Sequence, residues 1–275
     1  MGSSRPHISQ ASRELLALAR LAMAERPAPS EAEMVRMMLP AAQGFYGDDS
    51  PRLRMSFGSV CPRRLWLLRN DPAPGTEVEW ETRMKWALGH AFEQLLLLTL
   101  RTYLEKQGKD CPWRLDSRGV QKTLTMVVDG EVIEGHTDAL VTWNGEPYAI
   151  ADSKNTTAYS WKRWVDGRMP DEVWGYREQA ANYTFSAERE FLATMAGFIW
   201  LVGISGFNGY EGLESGWMDR HELIPYGAQA DDYFRMALNA RKIPLPVHPN
   251  RDDVPCRSAK GKAYCDQIEK CMKHP

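Results

Sequence analysis

The feature that most restricts the fold is an Asn144-Gly145 pair set between two apolar runs. A pair that tolerates positive φ at both central turn positions is the strongest short-range signal for a two-residue hairpin. One strand reaches the turn from Val132 through Trp143. The return strand runs from Pro147 through Tyr148, Ala149 and Ile150 to Asp152-Ser153-Lys154. Side chains alternate along a strand, so Asp152 and Lys154 share one face while Ser153 points to the other. Pairing across the turn can bring Asp138 to the face that carries Asp152. Two carboxylates and an ammonium at the end of an apolar strand are costly to bury unless they pair or hold a metal. An ordinary surface salt bridge is the plainer reading of an Asp-x-Lys tripeptide, and on these residues alone it stays open.

Around the hairpin the patterning alternates between helix and strand. Residues 12–26 form a helix capped by Ser12, with Leu15, Leu16, Leu18, Leu21 and Met23 on its apolar side. Pro27 and Pro29 end it. Ser30-x-x-Glu33 is a capping box for a short helix through Met38, and 41–54 is loop. Ser59 caps the next helix, which has Cys61 in its first turn. Leu65, Trp66 and Leu68 face the core there, and Arg63, Arg64 and Arg69 stay in solvent. A long helix follows from Trp80 to Gln107, striped by Met84, Leu88, Phe92, Leu95 and Leu96. Within it His90 and Glu93, three apart, share a face.

Strands from Val120 to Val128, Val132 to Trp143 and Pro147 to Lys154 make an antiparallel meander turning at Asp129-Gly130. The mixture of Trp161, Lys162, Arg163 and Trp164 suits stacking on single-stranded nucleic acid, and equally the covering of a core edge. Asp171 to Ala187 is a helix carrying Gln179-x-x-x-Tyr183, one turn apart. A buried strand from Glu190 to Val202, a glycine-rich loop from Gly203 to Gly216 and a strand from Trp217 to Ile224 come next. A helix from Ala228 to Lys242 has Asp231 and Asp232 near its positive end.

At 275 residues the chain can bury a full core, and 43% hydrophobic with 25% charged residues is a globular composition. No apolar run approaches the roughly 18 residues of a membrane span, and the first residues lack a signal-peptide core. The expectation is a cytoplasmic protein with no membrane partner. A net charge of −2 provides no global basic field for nucleic acid, though a local basic patch remains compatible with it. The odd count of five cysteines argues against a disulfide framework. Three of them, Cys256, Cys265 and Cys271, crowd the last twenty residues. Cys61 alone would suit a small buried hydrophobe, and Cys111 is a spare.

Taken in order, Gly89-x-x-x-Glu93, Gly135-x-x-Asp138, Asp152-x-Lys154 and Gln179-x-x-x-Tyr183 resemble the motif series of the PD-(D/E)xK nuclease superfamily, in its RecB-like branch. A cysteine in Cys-Pro-Arg-Arg-Leu-Trp before that core and three after it are similar to the iron–sulfur exonucleases of the branch. These include the CRISPR-associated Cas-four-type enzymes, their phage relatives and the AddB nuclease domain. The resemblance spans about Ser56 to Cys271. It implies a restriction-endonuclease-like α/β core, a mixed central sheet flanked by helices. The expected division is an N-terminal helical segment over 1–55, the nuclease core over 56–243 and an iron–sulfur tail over 244–275 joined to Cys61.

Two departures stand out. The family often places His where this chain has Glu93; a carboxylate can ligate a hard cation as well, which leaves His90 as understudy. The family's last cysteines run Cys-x2-Cys-x5-Cys, whereas eight residues separate Cys256 from Cys265 and five separate Cys265 from Cys271.

By this resemblance Glu93, Asp138 and Asp152 hold Mg²⁺ or Mn²⁺, and Lys154 orients water or stabilises negative charge. Gln179 and Tyr183 brace the site and contact DNA. Cys61, Cys256, Cys265 and Cys271 hold a [4Fe–4S] cluster, with a zinc Cys₄ site as the rival. The implied activity is a metal-dependent DNA exonuclease preferring single strands, with recombination or CRISPR-adaptation proteins as partners. A structure-specific or restriction-type endonuclease, or a catalytically idle cysteine-clamped DNA-binding adaptor, are the alternatives.

Overall fold

Both residues of the Asn144-Gly145 turn take positive φ, 51° and 86°, as a two-residue hairpin requires. The computed structural model describes residues 5–27, 29–35, 53–57, 61–71, 80–116, 122–156, 175–206, 209–245 and 271. In chain order these form α1 (Ile8–Glu25), α2 (Pro62–Asn70), α3 (Trp80–Lys106), β1 (Trp113–Asp116), β2 (Lys122–Val128), β3 (Glu131–Thr137), β4 (Ala139–Trp143) and β5 (Glu146–Thr156). Then come α4 (Tyr176–Phe191), β6 (Gly197–Gly206), β7 (Gly209–Asp219) and α5 (Arg220–Asn239).

Five strands make one mixed sheet in the order β1-β4-β5-β6-β7. Only β5 and β6 run parallel; the other pairs are antiparallel. A parallel pair needs a crossover, and α4 lies within that connection. Strand alternation divides the core between the two faces. Ile150, Phe198, Trp200 and Val202 pack with Leu65 of α2, Ala180 and Tyr183 of α4, Phe234 of α5, and Leu124 and Ile133 of the β2–β3 ribbon. On the other face Ala149, Ala151, Ile199 and Leu201 pack with Ile8 and Leu15 of α1 and Leu96, Leu100 and Leu104 of α3. Each such large apolar side chain contributes about 1.5–3 kcal/mol on burial. The architecture is α/β, a mixed sheet between two helical layers. Among the described residues no helix is long and apolar enough to cross a membrane.

Several boundaries differ from the sequence expectation. Helix α1 starts at Ile8, capped by His7, and Ser12 is buried inside it, bonded to Ser215 Oγ at 2.9 Å. Its inward face is Ile8, Ala11, Leu15, Ala19 and Ala22, and Leu21 is exposed. Small alanines let the helix lie close on the sheet, which a search for leucines overlooks. In α3, Leu88 likewise stands in solvent rather than in the stripe. At α2, Cys61 is the N-cap and Pro62 takes the first helical position, where its missing N–H costs nothing. Arg63 is buried, not solvated. Its guanidinium donates to the carbonyls of Pro244 at 3.2 Å and Cys271 at 3.1 Å.

The long strand from Val132 to Trp143 is broken at Asp138, so the expected meander is two pieces. Strand β3 pairs with β2 in a separate two-stranded ribbon, and β4 joins the main sheet. The short edge strand β1 was absent from the expectation.

Helix α4 runs on to Phe191 and stops at Leu192, whose φ of 50° turns the chain, so no strand begins at Glu190. The described residues of the glycine-rich stretch are sheet: Gly203 pairs with Leu213 and Ile204 with Gly212. Glycine weakens a strand, but pairing along β6 and β7 overrides that preference. The following strand ends at Asp219, which caps α5 in a box with Glu222. That helix therefore starts well before Ala228 and carries Pro225 inside it. Met38, Ser59, Trp161, Lys162, Arg163, Trp164, Asp171, Cys256 and Cys265 lie outside the described residues.

Candidate active site

Strand β5 stays buried from Tyr148 to Ser153 and surfaces at Lys154, which places its polar end at the edge of the core. Three other segments converge there: the break between β3 and β4, the middle of α3, and the first turns of α4. Asp138 occupies the break, and its Oδ2 accepts the Ser153 amide at 2.9 Å. Glu93 comes from α3, and its Oε1 accepts the Asn155 amide at 3.0 Å. The Lys154 ammonium lies 2.7 Å from Asp152 Oδ2. That contact is an ion pair at a poor hydrogen-bonding angle, so the buried oxygen keeps no aligned donor. His90 Nδ1 stands 3.4 Å from Glu93 Oε2, with about half of its side chain in solvent.

Gln179 and Tyr183 face this cluster from α4, and Gln179 Nε2 donates to the Tyr183 hydroxyl at 3.3 Å. Tyr183 is buried, and its ring occupies the space above Gly135. A Cβ on Gly135 would come within 2.5 Å of Tyr183 Cε1 and 2.8 Å of Met55. Gly135 is therefore required by close approach. The neighbouring Asn182 donates to the Met55 carbonyl at 3.0 Å and fixes the same junction. The sequence-predicted residues Glu93, Asp138, Asp152, Lys154, His90, Gln179 and Tyr183 thus meet at one place. Asn182 and Met55 were not foreseen.

The electrostatics follow from burial. Asp138 is pushed up to about 7, first by burial and then by the neighbouring Asp152 carboxylate. Asp152 is raised by burial, an effect that Lys154 opposes. Burial works against the Lys154 ammonium, but Asp152, Glu93 and Asp138 together outweigh it and hold its pKa well above the lysine range. Lys154 is a fixed cation, not a base. The hydrogen bond to Glu93 raises His90, against the effect of burial, and burial carries Tyr183 to about 12.

Three carboxylates sharing one ammonium leave the cluster acidic, and their oxygens are hard donors of the kind Mg²⁺ and Mn²⁺ prefer. The buried Asp152 Oδ2, whose contact with the Lys154 ammonium is poorly aligned, is a donor atom that a cation could take up. Among the described residues no three His, Cys, Asp or Glu groups form a ready-made cage. Glu93 and Asp138 are instead bonded to strand amides, and Lys154 holds Asp152. The donor chemistry fits a hard cation, with those bonds rearranged around it.

Of the four cysteines expected to act together, Cys61 stands at the start of α2 and Cys271 is buried. The Arg63 bond to the Cys271 carbonyl attaches Cys271 to the helix that Cys61 caps. Cys111 sits beside β1, its thiol 3.8 Å from the Trp113 carbonyl.

No protein-family model matches the chain, and no curated protein matches it. A solved structure described as the crystal structure of SSO0001 aligns over 86% of this chain and 98% of its own length, at 13% identity and a TM-score of 0.35. That likeness is too loose to bear on fold or function.

Proposed function

We propose that this chain is a metal-dependent DNA exonuclease of the PD-(D/E)xK type, with a restriction-endonuclease-like core and a preference for single strands. The observation that carries the reading is the convergence of Glu93, Asp138, Asp152 and Lys154 at the end of β5. Residues from three separated motifs have few other reasons to meet at one partly buried, acidic point. Phosphodiester hydrolysis requires an attacking oxygen held in line and the developing negative charge neutralised.

Glu93, Asp138 and Asp152 would hold Mg²⁺ or Mn²⁺. Such an ion supplies a water of lowered pKa and a Lewis acid toward the phosphate oxygens. Lys154 remains protonated and presents its ammonium to a nonbridging phosphate oxygen as charge accumulates. The Ser153 and Asn155 amides hold the Asp138 and Glu93 carboxylates in orientation. Tyr183, packed on Gly135, and Gln179, bonded to its hydroxyl, set the wall of the site on the α4 side. The burial of Tyr183 suits bracing; of the two, Gln179 is the one with surface to offer a DNA strand.

Cys61, Cys256, Cys265 and Cys271 are proposed as ligands of a [4Fe–4S] cluster that closes the tail onto α2. The Arg63–Cys271 bond supports the part of that reading that involves Cys61 and Cys271.

The test compares end-labelled linear and circular single strands, with Mg²⁺, Mn²⁺ or EDTA. Metal-dependent release of mononucleotides or short oligonucleotides from linear strands, with circles left intact, is the expected result. Cleavage of circles would make the enzyme an endonuclease. No cleavage of either, with retained DNA binding, would make it an adaptor.

A further inference from the structure

We propose that Tyr176 is a positioning residue for Lys154: its ring keeps the ammonium aimed into the carboxylate cluster once a metal ion takes up Asp152. The role of Lys154 rests on the nuclease reading; the placement of Tyr176 rests on geometry alone. Gly175 has a φ of 68°, a conformation that favours glycine, and it sets Tyr176 as the first residue of α4. Tyr176, Gln179 and Tyr183 then follow at i, i+3 and i+7, one face of a helix. Gln179 and Tyr183 are already bonded to each other on that face.

The Lys154 Nζ lies 5.7 Å from the Tyr176 ring centroid, inside the roughly 6 Å reach of a cation–π contact. In the structure the same ammonium lies 2.7 Å from Asp152 Oδ2. A divalent ion on Asp152 competes for that oxygen and repels the ammonium, so Lys154 needs a second anchor to remain in the site. A carboxylate in that position would also attract the metal. An aromatic face attracts the ammonium through its quadrupole with no formal charge, and so holds Lys154 without competing for the ion.

The experiment uses the full chain with ¹⁵Nζ-labelled lysine, with and without Mg²⁺, the Lys154 signal being assigned by its loss in Lys154→Arg. In the wild type the signal should show an upfield ring-current shift. Tyr176→Leu should abolish the shift, and Tyr176→Phe should restore it. In single-turnover cleavage of a linear strand, Tyr176→Leu should lower the rate about tenfold with DNA affinity unchanged, the loss of a desolvated cation–π contact. Phenylalanine should recover most of that loss. Successively fluorinated phenylalanines at position 176 preserve the shape while draining the ring quadrupole, and should lower the rate stepwise. A Lys154 signal that ignores Tyr176→Leu, or a rate indifferent to fluorination, would overturn the proposal. A wild-type protein that cleaves nothing would sink the nuclease reading, while the Lys154 spectrum would still decide whether Tyr176 holds the ammonium.

Discussion

Asp138→Asn separates the stability of this site from its function, because the amide keeps an oxygen for the Ser153 N–H and discards the charge. Asp138 is raised from 3.8 to about 7 by burial and by Asp152. Its folded pKa therefore lies above its unfolded one. Between those values the unfolded chain has lost the proton that the folded chain retains, so stability falls as pH rises and is lowest above the folded pKa. From about pH 5.5 to about pH 7 this loss is roughly 1.4 kcal/mol per pH unit, or about 2 kcal/mol in all.

Urea unfolding in EDTA at about pH 5.5 and about pH 8.5 measures the difference. The wild type should lose about 2 kcal/mol more than Asp138→Asn over that interval. Adding Mg²⁺ should reverse the order at the higher pH, because there the ion binds the ionised carboxylate of the folded chain. The variant should gain little from Mg²⁺. Parallel pH dependence of the two proteins in EDTA would refute the assignment of a buried, proton-retaining Asp138.

Gly135→Ala should destabilise the fold by about 1–3 kcal/mol through overpacking, since the new Cβ would lie 2.5 Å from Tyr183 and 2.8 Å from Met55; an unchanged thermal midpoint would contradict the close approach. Glu93→Ala should abolish metal-dependent cleavage while His90→Ala keeps most of it, and the opposite result would hand the helix-borne ligand role to His90. Protein purified without oxygen should be brown, absorb near ~400 nm and contain iron and sulfide. Cys61→Ser and Cys271→Ser should bleach it and Cys111→Ser should not; stoichiometric zinc without iron would replace the cluster with a zinc clamp.

The hairpin and the Asp152–Lys154 face were legible because a period of two and an Asn-Gly turn are local facts about the chain. Pairing across the same turn pointed to Asp138, whereas Glu93 reaches the site from a distant helix and its role rested on the order of motifs. The β6–β7 pair was hidden because its glycines look like loop until a partner strand supplies the hydrogen bonds. The early part of α5 was hidden by Pro225, and the inner face of α1 by alanines that carry little hydrophobic signal. Arg63 looked like a solvated helix residue because its acceptors, the carbonyls of Pro244 and Cys271, lie far along the chain. Tyr176 could have been found from its i, i+3, i+7 spacing with Gln179 and Tyr183.

The central claim is that the cluster at the end of β5 hydrolyses DNA. The most direct measurement is degradation of an end-labelled single strand by wild type, Asp152→Ala and Lys154→Ala in parallel, with Mg²⁺ or Mn²⁺ and with EDTA, each variant first checked for folding. The account predicts metal-dependent degradation by the wild type and none by either folded variant. Undiminished degradation by either variant would contradict it.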